Sequence, residues 1–143
     1  PVTVNPGGAL TVVNSQISRG IVANAPSFFS VCGSQVSAPS ATPSQGIVVS
    51  GAAVPVRIGD PANGCAANRV AGDVSLTTNN AGLTLGNNIV SGNVTVNNNT
   101  VGSDVVKANT IFNALACAGN TPPPTNAGHS NTGGSKSGQC SVL

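Results

Sequence analysis

The chain contains no Glu, Met, Trp or Tyr, and only three Asp, three Phe and five Lys or Arg in 143 residues. Charged residues make up 6% of it, about a quarter of the share usual in soluble domains. Glu, Lys, Leu and Met, the residues that build amphipathic helices, are scarce, which argues against a helical bundle. Arg19, Arg57, Arg69, Lys107 and Lys136 are scattered and have no aromatics between them, so no nucleic-acid groove forms. No apolar run reaches the 18 residues of a membrane-spanning helix. The one His, His129, sits in a Gly/Ser-rich stretch without a C-x2-4-C knuckle and reads as a solvated loop residue rather than a metal ligand. Asp60, Asp73 and Asp104 are the only carboxylates, and they are spread along the chain, whereas glycoside hydrolysis needs a facing pair. Gly133 to Gly138 looks like a phosphate loop but lacks the preceding strand and following helix. The reading is non-enzymatic, with no cofactor and no metal.

Val, Thr, Ser, Asn and Gly fill the space instead, and the class they predict is all-β. A repeat of about twenty residues organises them. Val70-Ala71-Gly72-Asp73-Val74-Ser75-Leu76, Val90-Ser91-Gly92-Asn93-Val94-Thr95-Val96 and Ile111-Phe112-Asn113-Ala114-Leu115-Ala116-Cys117 align with one another. Val49-Ser50-Gly51-Ala52-Ala53-Val54-Pro55-Val56 joins them if a bulge absorbs one Ala. The corner positions Gly51, Gly72, Gly92 and Asn113 are then spaced 21, 20 and 21. Asn68, Asn88 and Asn109 recur in phase before each strand, and Asn79, Asn99 and Asn120 after it.

The V-x-V alternation puts apolar side chains on one face, Gly or Asn at the bends tolerates left-handed backbone, and Asn in phase can stack its amides along an axis. Leu83-Thr84-Leu85 and Ser103-Asp104-Val105-Val106 supply a second strand per coil. These features predict a short right-handed parallel β-solenoid of about five coils of 20–21 residues. Val54, Val74, Val94 and Leu115 stack inside it, and Pro55, Ser75, Thr95 and Ala116 face out. An earlier coil falls at Ile17 to Val22, and an exposed loop is inserted over 37–46. The solenoid spans residues 1–120. Residues 121–143, rich in Pro, Gly, Ser and Asn, form an irregular capping tail.

Four cysteines in such a chain predict two disulfides and an oxidising, extracellular setting. Of the three connectivities open, equal angular offsets on neighbouring coils favour Cys32–Cys65, leaving Cys117–Cys140 to pin the tail. Phe28 and Phe29 are expected to shield the first coil, and Phe112, outward on the last, to lie under the tail. The other reading of these Phe is a partner surface. Lys107 reads as solvated. Pro1-Val2-Thr3-Val4 reads either as a mature end left by signal removal or as an imposed boundary.

Lys107-Ala108-Asn109-Thr110, Leu115-Ala116-Cys117-Ala118-Gly119-Asn120 and Ser137-Gly138-Gln139-Cys140, with the V-S-G-N-V-T-V style between Val48 and Cys140, resemble secreted right-handed β-solenoid repeat proteins of actinobacteria. That resemblance implies export and residence at the cell surface. Ala25-Pro26, Val31-Cys32-Gly33 and Asp60-Pro61-Ala62-Asn63-Gly64-Cys65 are similar to the chaplins, surface proteins that assemble into fibres, although the cysteines here are farther apart than in that family.

The function expected from these residues is a structural protein that self-associates through exposed solenoid edges into a filament or surface layer. The contact candidates are Val2, Thr3, Val4, Phe28, Phe29 and Phe112, with first strand Val2 to Val13 and last strand Thr110 to Cys117. The other classes weighed are an ice- or surface-binding solenoid and a carbohydrate-binding or carbohydrate-degrading β-helix.

Overall fold

A computed structural model describes residues 1–38 and 45–143. The chain winds through three parallel sheets, one on each side of a narrow apolar interior. The first turn is β1 (Val2–Val4), β2 (Ala9–Val13) and β3 (Gln16–Ile17), and the second is β4 (Ile21–Asn24), β5 (Phe28–Cys32) and β6 (Gln35–Ser37). The third is β7 (Gln45–Ser50), β8 (Val56–Ile58) and β9 (Arg69–Ala71). The fourth is β10 (Asp73–Thr77), β11 (Leu83–Gly86) and β12 (Ile89–Val90), and the fifth is β13 (Val94–Asn97), β14 (Asp104–Lys107) and β15 (Thr110–Ile111). After β16 (Leu115–Ala118) come β17 (Thr132–Gly133) and β18 (Lys136–Gly138). Sheet A runs β1-β4-β7-β10-β13-β16-β18, sheet B β14-β11-β8-β5-β2 and sheet C β17-β15-β12-β9-β6-β3.

The all-β solenoid and both disulfides are as the sequence predicts. Cys32 and Cys65 are joined with Cα atoms 4.8 Å apart, and Cys117 and Cys140 with Cα atoms 5.2 Å apart. Among the described residues the turns number six, one more than expected, and β18 continues sheet A beyond them. The strand ladder also crosses residue 120. Thr121 bridges Thr100, Thr125 bridges Val105, β17 pairs with β15 and β18 pairs with β16. Of the loop placed over 37–46, Ser37 ends β6 and Gln45 begins β7, while residues 39–44 lie outside the described residues.

The repeat needs one correction. Val74, Val94 and Leu115 do stack in register, but the third-turn residue above Val74 is Ile47, not Val54. Val48 accordingly takes the outward place given to Pro55. Val54 lies half-buried in the turn between β7 and β8. The cause is an excursion after Ile58, containing the 3-10 turn Pro61–Asn63 and Cys65, which stretches the interval from Ile47 to Val74 to 27 residues. The spacing of 21 from Gly51 to Gly72 is therefore a coincidence between two different corners. Gly51 belongs with Ala25, Thr78, Asn98 and Gly119, the residues that leave sheet A at φ between 43° and 68°. Gly72, Gly92 and Asn113 each lie two residues before their core partner, at the corner that enters sheet A, whereas Gly46 lies one residue before Ile47, inside β7. A Cβ on Gly46 would meet Val70 at 2.5 Å, and one on Gly92 would strike Asp73, so bulkier residues cannot occupy these positions without rearrangement.

The interior is a stack of aliphatic rows. Ile21, Ile47, Val74 and Val94 are fully buried from sheet A, Val31, Ile58 and Leu85 from sheet B, and Val36 and Val90 from sheet C. Each row places like shapes one strand spacing, about 4.8 Å, apart. Branched side chains on every turn fill so narrow a core without aromatics, and Phe29 is the one Phe inside it.

Candidate assembly interface

Two features hold the coil at its corners, and both bear on its ends. The first is a pair of polar ladders. In one, Asn88 Oδ1 accepts from the backbone N–H and the Nδ2 of Asn68, both at 2.9 Å, while Asn88 Nδ2 donates to Ile58 O at 2.8 Å and to Asn109 Oδ1 at 3.1 Å. Asn109 repeats the pattern onto Asn131, whose Nδ2 donates to the carbonyls of Val106 and Leu143. The second ladder runs Asn79, Asn99, Asn120 and ends on Gln139 Oε1. The six asparagines picked out by spacing are all buried members. Ser34, whose backbone N–H donates to Asn68 Oδ1 at 2.8 Å, Asn131 and Gln139 escape the sequence reading; Asn131 could have been found, since it follows Asn109 by 22 residues.

The second feature is the ion pair of Lys107 with Asp60, Nζ to Oδ1 at 3.0 Å. Lys107 is thus not a solvated lysine. It pairs in register with Gly86, and its stem lies against the space a Gly86 Cβ would fill, 3.3 Å from Cε. Burial pushes the Asp60 carboxyl up, but hydrogen bonds from Asn63 and Lys107 and the charges of Lys107 and Arg57 outweigh it and hold the group below its ordinary value. Asp73 accepts from the N–H and Nδ2 of Asn93. Asp104 points into the core beneath Leu83 with Oδ2 unpaired, and burial, eased by the Leu83 backbone, raises it to about 6. The three carboxylates are thus engaged separately: at a corner, at a strand start and in the interior.

The two ends of the coil differ. At the first turn, β1, β2 and β3 are each the outermost strand of a sheet. Val2, Leu10 and Ile17 pack on the core but are only partly covered, and a cavity of about 280 Å³ opens between Val2 and Ile17, with Arg19 at its rim. Val13 is 51% exposed. At the other end Leu143 folds into the core, and its carbonyl accepts from the Asn131 N–H and from Lys136 Nζ, each at 3.0 Å. Lys136 stands in register with Leu115, at the place apolar residues hold in earlier turns. Beyond β14, sheet B meets only the bridge at Thr125, just after Pro122, Pro123 and Pro124. Prolines and an inward charge are devices that blunt a sheet edge; prolines flank strands on both sides of the coil, Pro1 and Pro6 beside β1 and Pro122 to Pro124 before Thr125, and the inward Lys136 stands on the last turn.

The contact candidates sort accordingly. Val2 is partly covered and Thr3 exposed on β1, but Val4 is buried. Phe29 is 1% exposed, in register between Leu10 and Val56, so it is a core residue and not a surface one. Phe28 is half-exposed beside Ala9. Phe112 stays 62% exposed; the tail does not cover it, because the chain there continues as β17 and β18 instead of folding outward. The expected last strand, Thr110 to Cys117, is no edge: β15 lies between β12 and β17, and β16 between β13 and β18. No family model matches the chain, and no curated protein or solved structure matches it.

Proposed function

We propose that the protein is a non-enzymatic structural component of an extracellular surface that associates with itself. The observation carrying this reading is a set of apolar side chains left on a surface with few charges: Phe28 is 49% exposed, Val13 51% and Phe112 62%. Low charge supports it: Arg19 is the one charged side chain in residues 1–38, so copies meet with little repulsion. Two disulfides support an oxidising compartment. Light scattering over a concentration series tests the reading: the mass average should rise with concentration, and a single monomeric species at millimolar concentration would reject it.

A second reading, binding to ice or another flat surface, rests on the outward row of sheet A. Thr3, Val22, Val48, Ser75, Thr95, Ala116 and Ser137 lie in register across seven strands, without charge or aromatic ring. Hydroxyls alternate irregularly with methyls along it, which favours the first reading. Thermal hysteresis in a freezing assay decides this alternative directly.

A further inference from the structure

We infer that Lys107 and Asn63 join in a side-chain amide bond, an internal cross-link that the protein makes itself with Asp60 as proton carrier. The three side chains meet where the excursion of the third turn reaches the fifth. Asp60 holds both reactants on its two oxygens: Lys107 Nζ lies 3.0 Å from Oδ1, and Asn63 Nδ2 donates to Oδ2 at 2.6 Å. Asp60 and Cys65 exchange both backbone hydrogen bonds, at 2.6 and 3.1 Å, and Cys65 is tied to Cys32. The 3-10 turn Pro61–Asn63 thus stands on a closed base that holds the amide still. Lys107 arrives from another turn on a four-carbon stem, whose rotations let Nζ swing from Oδ1 toward Asn63 Cγ. The competing nucleophile is the Gly64 nitrogen, which would close a succinimide ring on Asn63; its N–H is already given to Pro61 O at 3.1 Å.

The step balances without an oxidant, reductant or second reactant. Lys107 Nζ gives up two protons, its freed electron pair forms the Nζ–Cγ bond, and the Cγ–Nδ2 bond breaks. Asp60 carries one proton from Nζ to Nδ2, both of which it touches, and returns to carboxylate. The second proton goes with the departing nitrogen, which leaves as ammonium. A cavity of about 190 Å³ beside Pro61, Asn87, Lys107 and His129 gives it a way out. The product replaces a poorly solvated ammonium with a neutral amide, and Asp60 keeps the new N–H and the charge of Arg57 as partners. The ion pair is the state before reaction, and mildly alkaline pH, which frees more of the amine, speeds the conversion. With Cys32–Cys65 the new bond makes one covalent strap from the second turn through the third to the fifth, along the axis of the coil. This inference is independent of self-association.

Mass spectrometry of the 143-residue chain after incubation at about pH 9 tests this. The expected product is lighter by one ammonia. After unfolding and reduction, trypsin should release Ile58–Arg69 joined to Val70–Lys136, uncut at Lys107. Lys107→Arg, which keeps the charge but is no nucleophile, and Asn63→Ala should each stay at full mass. Asp60→Asn should slow the bond by at least about tenfold. An unchanged mass in the natural chain overturns the inference. So does loss of ammonia without joined peptides, the mark of a succinimide at Asn63–Gly64, or a joined product in Asn63→Ala.

Discussion

Lys107 on the fifth turn reaches over Gly86 on the fourth to place its ammonium 3.0 Å from Asp60 on the third. One side chain thereby ties three turns together along the axis, on the same corner from which the excursion carries Cys65 to Cys32. The Lys and Asp side chains are 16% and 7% exposed, so either one left alone is a poorly solvated charge. Lys107→Met should destabilise by about 1–3 kcal/mol, less than a fully buried pair would lose. A Cβ on Gly86 would crowd the Gly59 carbonyl oxygen at 3.2 Å as well as the Lys107 stem, so Gly86→Ala should cost about 1 kcal/mol, and only the share owed to the end of the lysine stem is relieved in the Lys107→Met background. Urea melts of the two single variants and the double variant measure that coupling.

Asn99 offers a sharper test of the ladders. Its Oδ1 accepts from the Asn79 N–H and Nδ2, and its Nδ2 donates to Leu76 O and to Asn120 Oδ1. Asn99→Ala leaves those groups buried and unpaired, so a loss of about 2–4 kcal/mol is expected. Asn99→Asp should be nearly as costly at neutral pH, because a carboxylate cannot donate to the Leu76 carbonyl. Chemical denaturation compares both with Asn80→Ala, an exposed asparagine one turn away and outside the ladder.

Asp104 gives the protein a pH dependence of definite sign. Its folded value of about 6 lies above the ordinary value of 3.8, so the folded state binds this proton more tightly than the unfolded chain does. Its contribution is greatest below about pH 4 and is lost as pH rises through 6. The shift corresponds to about 2–3 kcal/mol. Asp104→Asn should raise stability at pH 7.5 by about that much and leave it little changed at pH 3.5. Thermal melts at the two pH values show the difference, and an equal effect at both would contradict the assignment.

Val101 carries φ 63° with its side chain 67% exposed. A β-branched residue pays a steric penalty in this region that Gly does not. Val101→Gly should therefore stabilise by about 0.5–1 kcal/mol, against the usual direction of a substitution to Gly in a strand. Val48→Gly, on an outward strand position, is the comparison and should destabilise; calorimetry reads both.

Composition and local pattern were enough for the class of the fold, the stacking of Val74, Val94 and Leu115, the six ladder asparagines and both cystines. In a solenoid the partner of each residue sits one turn away in sequence. Tertiary neighbours then appear as a period, and backbone strain at the bends shows as Gly and Asn. Only the folded coil decided the rest. The third turn hides an excursion that happens to restore a spacing of 21, so Ile47 replaced Val54, and periodicity carries no signal to tell the two apart. Phe28 and Phe29 differ by one residue and so fall on opposite faces of β5, one open and one closed, which depends on a register that no single strand contains. The reach of Lys107 to Asp60 and the plugging of one end by Leu143 join positions far apart in sequence or off the repeat. They follow from axial geometry, which exists only once the turns have stacked.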